Sequence, residues 1–316
     1  MLKPSRLLVY LIFPLSFFFV VSSCNTFDPP LTVPVYGHID SMHLIVPADS
    51  LSELGTAASF IPYVWVYLDD NPIGVFQTPC TFPMVASNGM HTVEVYPGVT
   101  PVGANSPAAI YPFYQFYSVQ INMQQGNTYK IKPVIRYFSW VHFPYLMNFD
   151  NFTAGQQPTG NGKYSIINYH GGGNKSGASD TSMIVVSGKL AFQNKSGMVI
   201  VDGRHPYYAG LTWPSDTLSF NNSNIPVFVE LNYRATTLFA IGMFGNNGNG
   251  DTSSQSGPIA IVYPTTGWKK MYISLNNTIY PSFKMPRQNI YFAMKLDSID
   301  GHKTDTLLLD NIKILD

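Results

Sequence analysis

Charge is scarce in this 316-residue chain: Asp, Glu, Lys and Arg make up 11%, where about 25% is ordinary. The 18 basic and 18 acidic residues cancel, so no basic face is available to a polyanion and nucleic acid is excluded as a partner. Cysteine is nearly absent. Of the two, Cys24 belongs to an export segment, which leaves Cys80 with no partner for an intrachain disulfide. Sustained helical periodicity is missing, and so are the common catalytic signatures. No Gly-x-Ser-x-Gly elbow accompanies the string His170-Gly171-Gly172-Gly173, which therefore reads as a loop rather than an oxyanion hole. No His-Glu-x-x-His occurs among the seven scattered histidines,. Glu230 is the sole Glu after Glu94 and has no acidic neighbour within ten residues. A retaining glycanase needs two carboxylates about 5 Å apart.

What is present is Pro, Gly and aromatic residues, with 24 Pro, 25 Gly and 14% Phe, Trp and Tyr. This is the composition of a β-rich exported protein with many turns. The N-terminus has Lys3 and Arg6, then an apolar run from Leu7 to Val21, then small residues leading into Cys24. That run is too short to span a bilayer comfortably and has the flanks of an export signal. Pro-rich residues 25–34 read as a tether. Beyond it, short apolar stretches alternate with turn signals. Val64–Leu68, His91–Tyr96, Tyr114–Met123 and Thr128–Tyr137 predict a small antiparallel sandwich. Nine later stretches, among them Lys189–Phe192, Val227–Tyr233, Leu238–Phe244, Asn289–Leu296 and Thr306–Leu315, predict a larger two-sheet jelly roll. Between the two groups, Tyr137–Phe152 is dense in aromatic residues and is open to two readings, an exposed ligand platform or an apolar seam between domains.

Several of these strings resemble known families. Val21-Ser22-Ser23-Cys24 resembles the lipobox of bacterial lipoproteins, which implies acylation of Cys24 and, with Asn25 following, an outer-membrane destination. Val66–Gly74, Thr78-Pro79 and Asn88–Val95 resemble a PEGA-type β domain. Phe149-Asp150-Asn151-Phe152 and Leu308–Ile314 resemble the paired first and last strands of jelly-roll carbohydrate-binding and concanavalin-like modules. Together with Gly267–Leu275 and Val229–Tyr233, these strings are similar to uncharacterised surface lipoproteins of Bacteroidota. The implied organisation is a signal peptide (1–23), anchor and tether (24–34), PEGA-like or Ig-like sandwich (35–137), aromatic linker (138–146) and jelly roll (147–316), an all-β protein.

The resemblance to jelly-roll modules also implies a structural calcium ion held by Asp150 and Asp310, with strand-bend packing as the other reading. No other cofactor is expected. His205, Tyr207, Tyr208 and Trp213, read as part of a loop from Gly203 to Pro214, are candidate glycan contacts because aromatic faces stack on sugar rings; core or loop packing is the alternative. Gly245–Asp251 lacks the carboxylates of an EF-hand and reads as a surface loop. Five Asp-Ser/Thr-aliphatic triplets resemble the O-glycosylation signal of exported Bacteroidota proteins and mark Ser41, Ser50, Thr217, Ser298 and Thr306; turn residues entering strands are the plainer account. The expected function is a non-catalytic outer-membrane lipoprotein binding glycan, on the periplasmic or cell-surface face, through the jelly roll. The alternatives are an assembly component of a surface complex and a glycan hydrolase.

Overall fold

A computed structural model describes residues 33–102, 108–159, 163–169, 179–214, 226–247, 252–275, 284–299 and 301–316. Cys24, the signal segment, the His170 string, Thr217 and residues 248–251 lie outside them. The described residues form an all-β protein, with a single four-residue α-helical turn at Leu51–Leu54.

The N-terminal strands are β1 (Val35–Ile39), β2 (His43–Leu44), β3 (Tyr63–Leu68), β4 (Asn71–Gln77), β5 (Cys80–Met84), β6 (Gly89–Val99), β7 (Pro101–Val102), β8 (Ala109–Ile110), β9 (Tyr117–Met123), β10 (Thr128–Lys130) and β11 (Val134–Ile135). Strands β4-β3-β6-β8, with β9 also on β6, make a five-stranded sheet that packs against the β10-β1-β5 and β11-β2 sheets. The β3–β4 hairpin turns at Asp69 (φ 48°) and Asp70 (φ 66°). The turn needs positive φ at both central residues, and two aspartates supply it rather than the neighbouring Asn71 and Gly74. Asp69 is held there because its carboxylate accepts from His91 Nδ1 at 2.6 Å and from the Thr92 N–H at 2.8 Å. The long strand expected over Thr128–Tyr137 is broken into β10 and β11, with Pro133, which has no N–H to donate, between them,. Cys80 is free and half-buried, and burial pushes its thiol pKa up.

The jelly roll comprises β12 (Tyr145–Met147), β13 (Ser165–Asn168), β14 (Ile184–Ser187), β15 (Lys195–Asp202), β16 (Tyr207–Trp213), β17 (Phe228–Ala235), β18 (Phe239–Asn246), β19 (Thr252–Gln255), β20 (Ala260–Val262), β21 (Lys269–Ser274), β22 (Arg287–Lys295) and β23 (Thr304–Leu315). One sheet runs β14-β15-β23-β17-β21-β7 with β12 on β23; the other runs β13-β16-β22-β18-β19 with β20 on β18. First and last strands do pair, but through Tyr145–Met147 against Ile312–Ile314, one step upstream of Phe149–Phe152. Lys189–Phe192, expected as a strand, begins in a 3-10 turn at Gly188–Leu190. Gly203–Pro214, expected as a loop, contains β16, a strand inside the six-stranded sheet. Pro206 and Pro214 flank the strand rather than interrupt it, which is where a sheet tolerates proline.

The aromatic stretch is divided between two cores. Tyr137 and Phe143 pack in the N-terminal core, whereas Tyr145, Phe149 and Phe152 pack in the jelly roll; Trp140 stays 51% exposed. The N-terminal core also takes in Phe228, Tyr272 and Leu315 from the seven-stranded sheet, and β7 adds to that sheet in parallel beside β21. Residues 55–60 cross the same sheet as a strap. Lys313 Nζ donates to the Thr56 carbonyl at 2.8 Å, Thr56 Oγ1 donates to Asn311 Oδ1 at 2.9 Å, and the Phe60 N–H donates to the Tyr272 hydroxyl at 3.1 Å. Gly55 (φ 69°) lets the strap come this close, because a Cβ there would run into Leu146 and Lys313,.

Candidate functional site

The two jelly-roll sheets pack through alternate residues, so each strand also presents an outward row. On the six-stranded sheet Tyr208, Ile241, Met243, Ile290, Phe292 and Met294 point into the core. The outward residues include Ala209 on β16, Ala293 on β22, Ala240 on β18 and Ile261 on β20, and the register places them side by side as one row across four strands. Such a row is about 14 Å long at the usual strand spacing. Alanine has almost no side chain, so Ala240 and Ala293 form the floor of a trough, while Ala209 at the end of the row is covered. Tyr207 and Lys295 face each other on one flank, joined by Leu238, and Leu211 pairs with Tyr291 on the other. Two adjoining cavities of about 420 and 250 Å³ share Tyr207, Ala240 and Ala293, and Gln255 and Ser256 give the first a polar wall. Gly242, opposite Tyr291, leaves room for that ring to lie over the sheet; a Cβ would collide with it. The Tyr291 hydroxyl donates to the Ser256 carbonyl at 3.3 Å, and Phe244 packs on Tyr291 and Tyr169 with ring centroids 5.3 and 4.8 Å away. The trough is preformed.

Tyr207 stands on the trough wall, half-buried, and burial raises its hydroxyl pKa, with Tyr169 and Asp180 adding to the shift. Tyr208 points the other way, is fully buried, and is therefore a core residue and not a glycan contact. Its pKa is pushed well up by burial. Trp213 is on the Tyr207 side and 37% exposed, but six residues further along the strand, about 20 Å away. His205 sits in the turn before β16, where its N–H and that of Arg204 each donate to Asp202 Oδ1 at 2.8 Å. Only Tyr207 of the four is on the trough. The alanines, Ile261 and Lys295 were missed by sequence reasoning. A signal existed, since three strands carry small residues (Ala209, Ala240, Ala293) amid aromatic and branched ones.

Asp150 and Asp310 lie on the seven-stranded side. Burial, then the neighbouring Asp150 charge, lifts the Asp310 pKa to about 7, although Ser196 and the Asn311 N–H donate to its carboxylate at 2.8 and 2.7 Å. Asp150 Oδ1 is buried with no hydrogen-bond partner. Lys195 Nζ donates to the Asp150 and Phe152 carbonyls at 2.9 and 2.6 Å. Among the described residues no three His, Cys, Asp or Glu side chains converge on a metal position. An orphaned carboxylate oxygen near a second buried carboxylate nonetheless suits a hard cation that takes mixed oxygen ligands.

Glu230 faces the N-terminal domain and is 0% exposed. Lys270 Nζ is 3.0 Å from its Oε2, and the hydroxyls of Tyr111 and Tyr137 donate to it at 2.7 and 3.1 Å. Burial would raise its pKa, but Lys270, Lys313 and the Tyr111 hydrogen bond hold it below the ordinary value. Burial pulls Lys313 down to about 7, against the attraction of Glu230. This carboxylate is structural: no substrate reaches it.

Of the glycosylation candidates, Ser298 is exposed in a turn, Ser41 and Ser50 are half-buried before strand and helix, and Thr306 is inside β23 opposite Ile200. Asp305 beside Thr306 is fully buried and accepts from Thr236, Asp297 and His302.

Comparison with models of protein families gave no match, and comparison with curated proteins gave none. Among solved structures, the chain is similar to a family 11 carbohydrate-binding module of a Clostridium thermocellum cellulosomal cellulase, with 16% identity and a TM-score of 0.31 over 54% of this chain and 94% of that one. It is similar to TmCBM61, solved with β-1,4-galactotriose, at 13% identity and a TM-score of 0.28 over 48% and 87%. A carbohydrate-binding module from the β-sandwich superfamily aligns over 80% of this chain and 85% of its own, at 11% identity and a TM-score of 0.32. At these values no residue role passes from them to this chain.

Proposed function

We propose that this protein is a non-catalytic, glycan-binding lipoprotein of the outer membrane, anchored through acylated Cys24 and holding the outer face of the six-stranded sheet toward polysaccharide. The alanine-floored trough supports the reading. A flat floor running across the strands accepts an extended chain rather than a compact molecule. Tyr207 offers a ring and a hydroxyl, and Gln255, Ser256 and Lys295 offer polar groups for sugar hydroxyls. Glu230, which has no acidic neighbour in the sequence to pair with in a retaining mechanism, is fully buried under the N-terminal domain. A structural Ca²⁺ between Asp150 and Asp310 belongs to the same proposal; it would order the junction of β12 and β23 and take no part in glycan contact.

The test is a polysaccharide panel read by affinity electrophoresis and calorimetry. Binding is expected to fall about tenfold in Tyr207→Ala, and to vanish in Ala293→Arg, which fills the trough. Absence of binding to every polysaccharide, or binding indifferent to both substitutions, would overturn the reading. Labelling cells with an alkynyl fatty acid tests the anchor, since Cys24→Ala should abolish incorporation.

A second reading, an assembly component of the envelope, draws on the outer face of the five-stranded sheet. There Tyr96 packs on Tyr67 and Phe116 with centroids 5.2 and 4.7 Å away, and Phe116 is 41% exposed. A stoichiometric partner recovered by cross-linking in intact cells, and lost in Phe116→Ser, would favour it.

A further inference from the structure

A separate cavity of about 330 Å³ opens where the strap meets the outer face of the seven-stranded sheet. Its walls are aromatic: Phe60, 60% exposed at the mouth, and Phe192 packed against Trp268 with ring centroids 5.5 Å apart. Lys269 is on the rim, and Lys270 and Asn232 line the inner end. Two donors here are short of acceptors. Trp268 Nε1 is buried with no partner, and Lys270 Nζ has three N–H groups to place and one acceptor, Glu230 Oε2 at 3.0 Å,. A buried donor without a partner is costly in a folded protein, and an indole N–H and an ammonium can only donate. What is missing is an acceptor. The ring walls call for a ring, the two lysines for negative charge, and Ser59 and Asn232 for hydroxyl groups. The volume is at the low end for ligand pockets, suited to one ring rather than a chain.

We propose that this junction cavity is a second ligand site, independent of the trough, that takes a single sugar acid, a hexuronic acid, with its carboxylate toward the Trp268 N–H and Lys270 and its ring between Phe60 and Phe192. Residues from both domains line it, so occupancy also ties the strap to the sheet.

Calorimetry and tryptophan fluorescence with free galacturonate and glucuronate test the site. Saturable binding in the millimolar range is expected, weakened about tenfold in Trp268→Phe, which keeps the ring and removes the N–H. Phe60→Ala, at an exposed position, should weaken it as well. Trp268→Phe should leave polysaccharide binding at the trough intact, so the two sites fail or succeed separately. The proposal is overturned if neither uronate saturates, if galactose or benzoate binds equally well, or if a folded Trp268→Phe protein binds uronate with unchanged affinity.

Discussion

The jelly roll has two outer faces that are chemically opposite, and the covered one is the more charged. The face of the six-stranded sheet shows Ala240 and Ala293 between Tyr207 and Tyr291, beside a buried cluster of Leu211, Phe244 and Tyr291. The face of the seven-stranded sheet is covered by the N-terminal domain, yet it carries Glu230, Lys270 and Lys313, all nearly or fully buried. Burial there does not mean apolarity. The N-terminal domain is fitted onto the sheet by the Tyr111 and Tyr137 hydroxyls that donate to Glu230 and by Lys313, which donates to the strap backbone, each specific to one geometry. Buried charges are weak stabilisers against a hydrophobic replacement, but losing one partner is severe.

The largest effect should therefore come from breaking that contrast. Glu230→Gln leaves Lys270 and Lys313 buried without their counter-charge and is expected to cost about 3–5 kcal/mol in denaturant unfolding. A loss under about 1 kcal/mol would show that the covered face is not organised around this carboxylate. On the open face, Tyr207→Ala and Ala293→Arg should abolish or weaken ligand binding while stability changes little.

Acidity separates the faces further, because the two groups moved to about pH 7 are both on the seven-stranded side. Asp310 has its folded pKa raised to about 7, so it binds a proton in the folded state that the unfolded state has lost; stability falls as pH climbs from about 4 to 7,. Lys313 has its folded pKa lowered to about 7, so the unfolded state holds the extra proton above that; stability rises from pH 7 toward 10,. Calcium-free melting curves should show a shallow minimum near pH 7. Asp310→Asn should flatten the acid limb and Lys313→Met the alkaline limb. Smallest is the response to Ca²⁺, expected to raise Tm by the mass-action term for a native-state ligand and to do nothing in Asp310→Asn.

The β-strand content and most strand positions were legible in the sequence. Val229, Leu231 and Tyr233 alternate with Glu230 and Asn232, and that pattern reads as a strand with one wet face. It was misleading only about the wet face, because the polar row meets a second domain instead of water. The site was less legible. Tyr207 was singled out with Tyr208, yet a period of two sends adjacent tyrosines to opposite sides of the sheet. Reading residues 203–214 as a loop hid that alternation.

By itself, then, the sequence determined an all-β chain with hairpins at polar turns and an aromatic-rich stretch whose role it left open. These follow from local rules: alternation, turn chemistry and the absence of helical periodicity. Only the tertiary structure decided which sheet face the N-terminal domain covers, that Ala240 and Ala293 from separate strands form one floor, and that Glu230, Lys270 and Lys313 meet in the interior. Those outcomes depend on register between strands distant in the chain and on one domain covering the other, and neither is written in any local window.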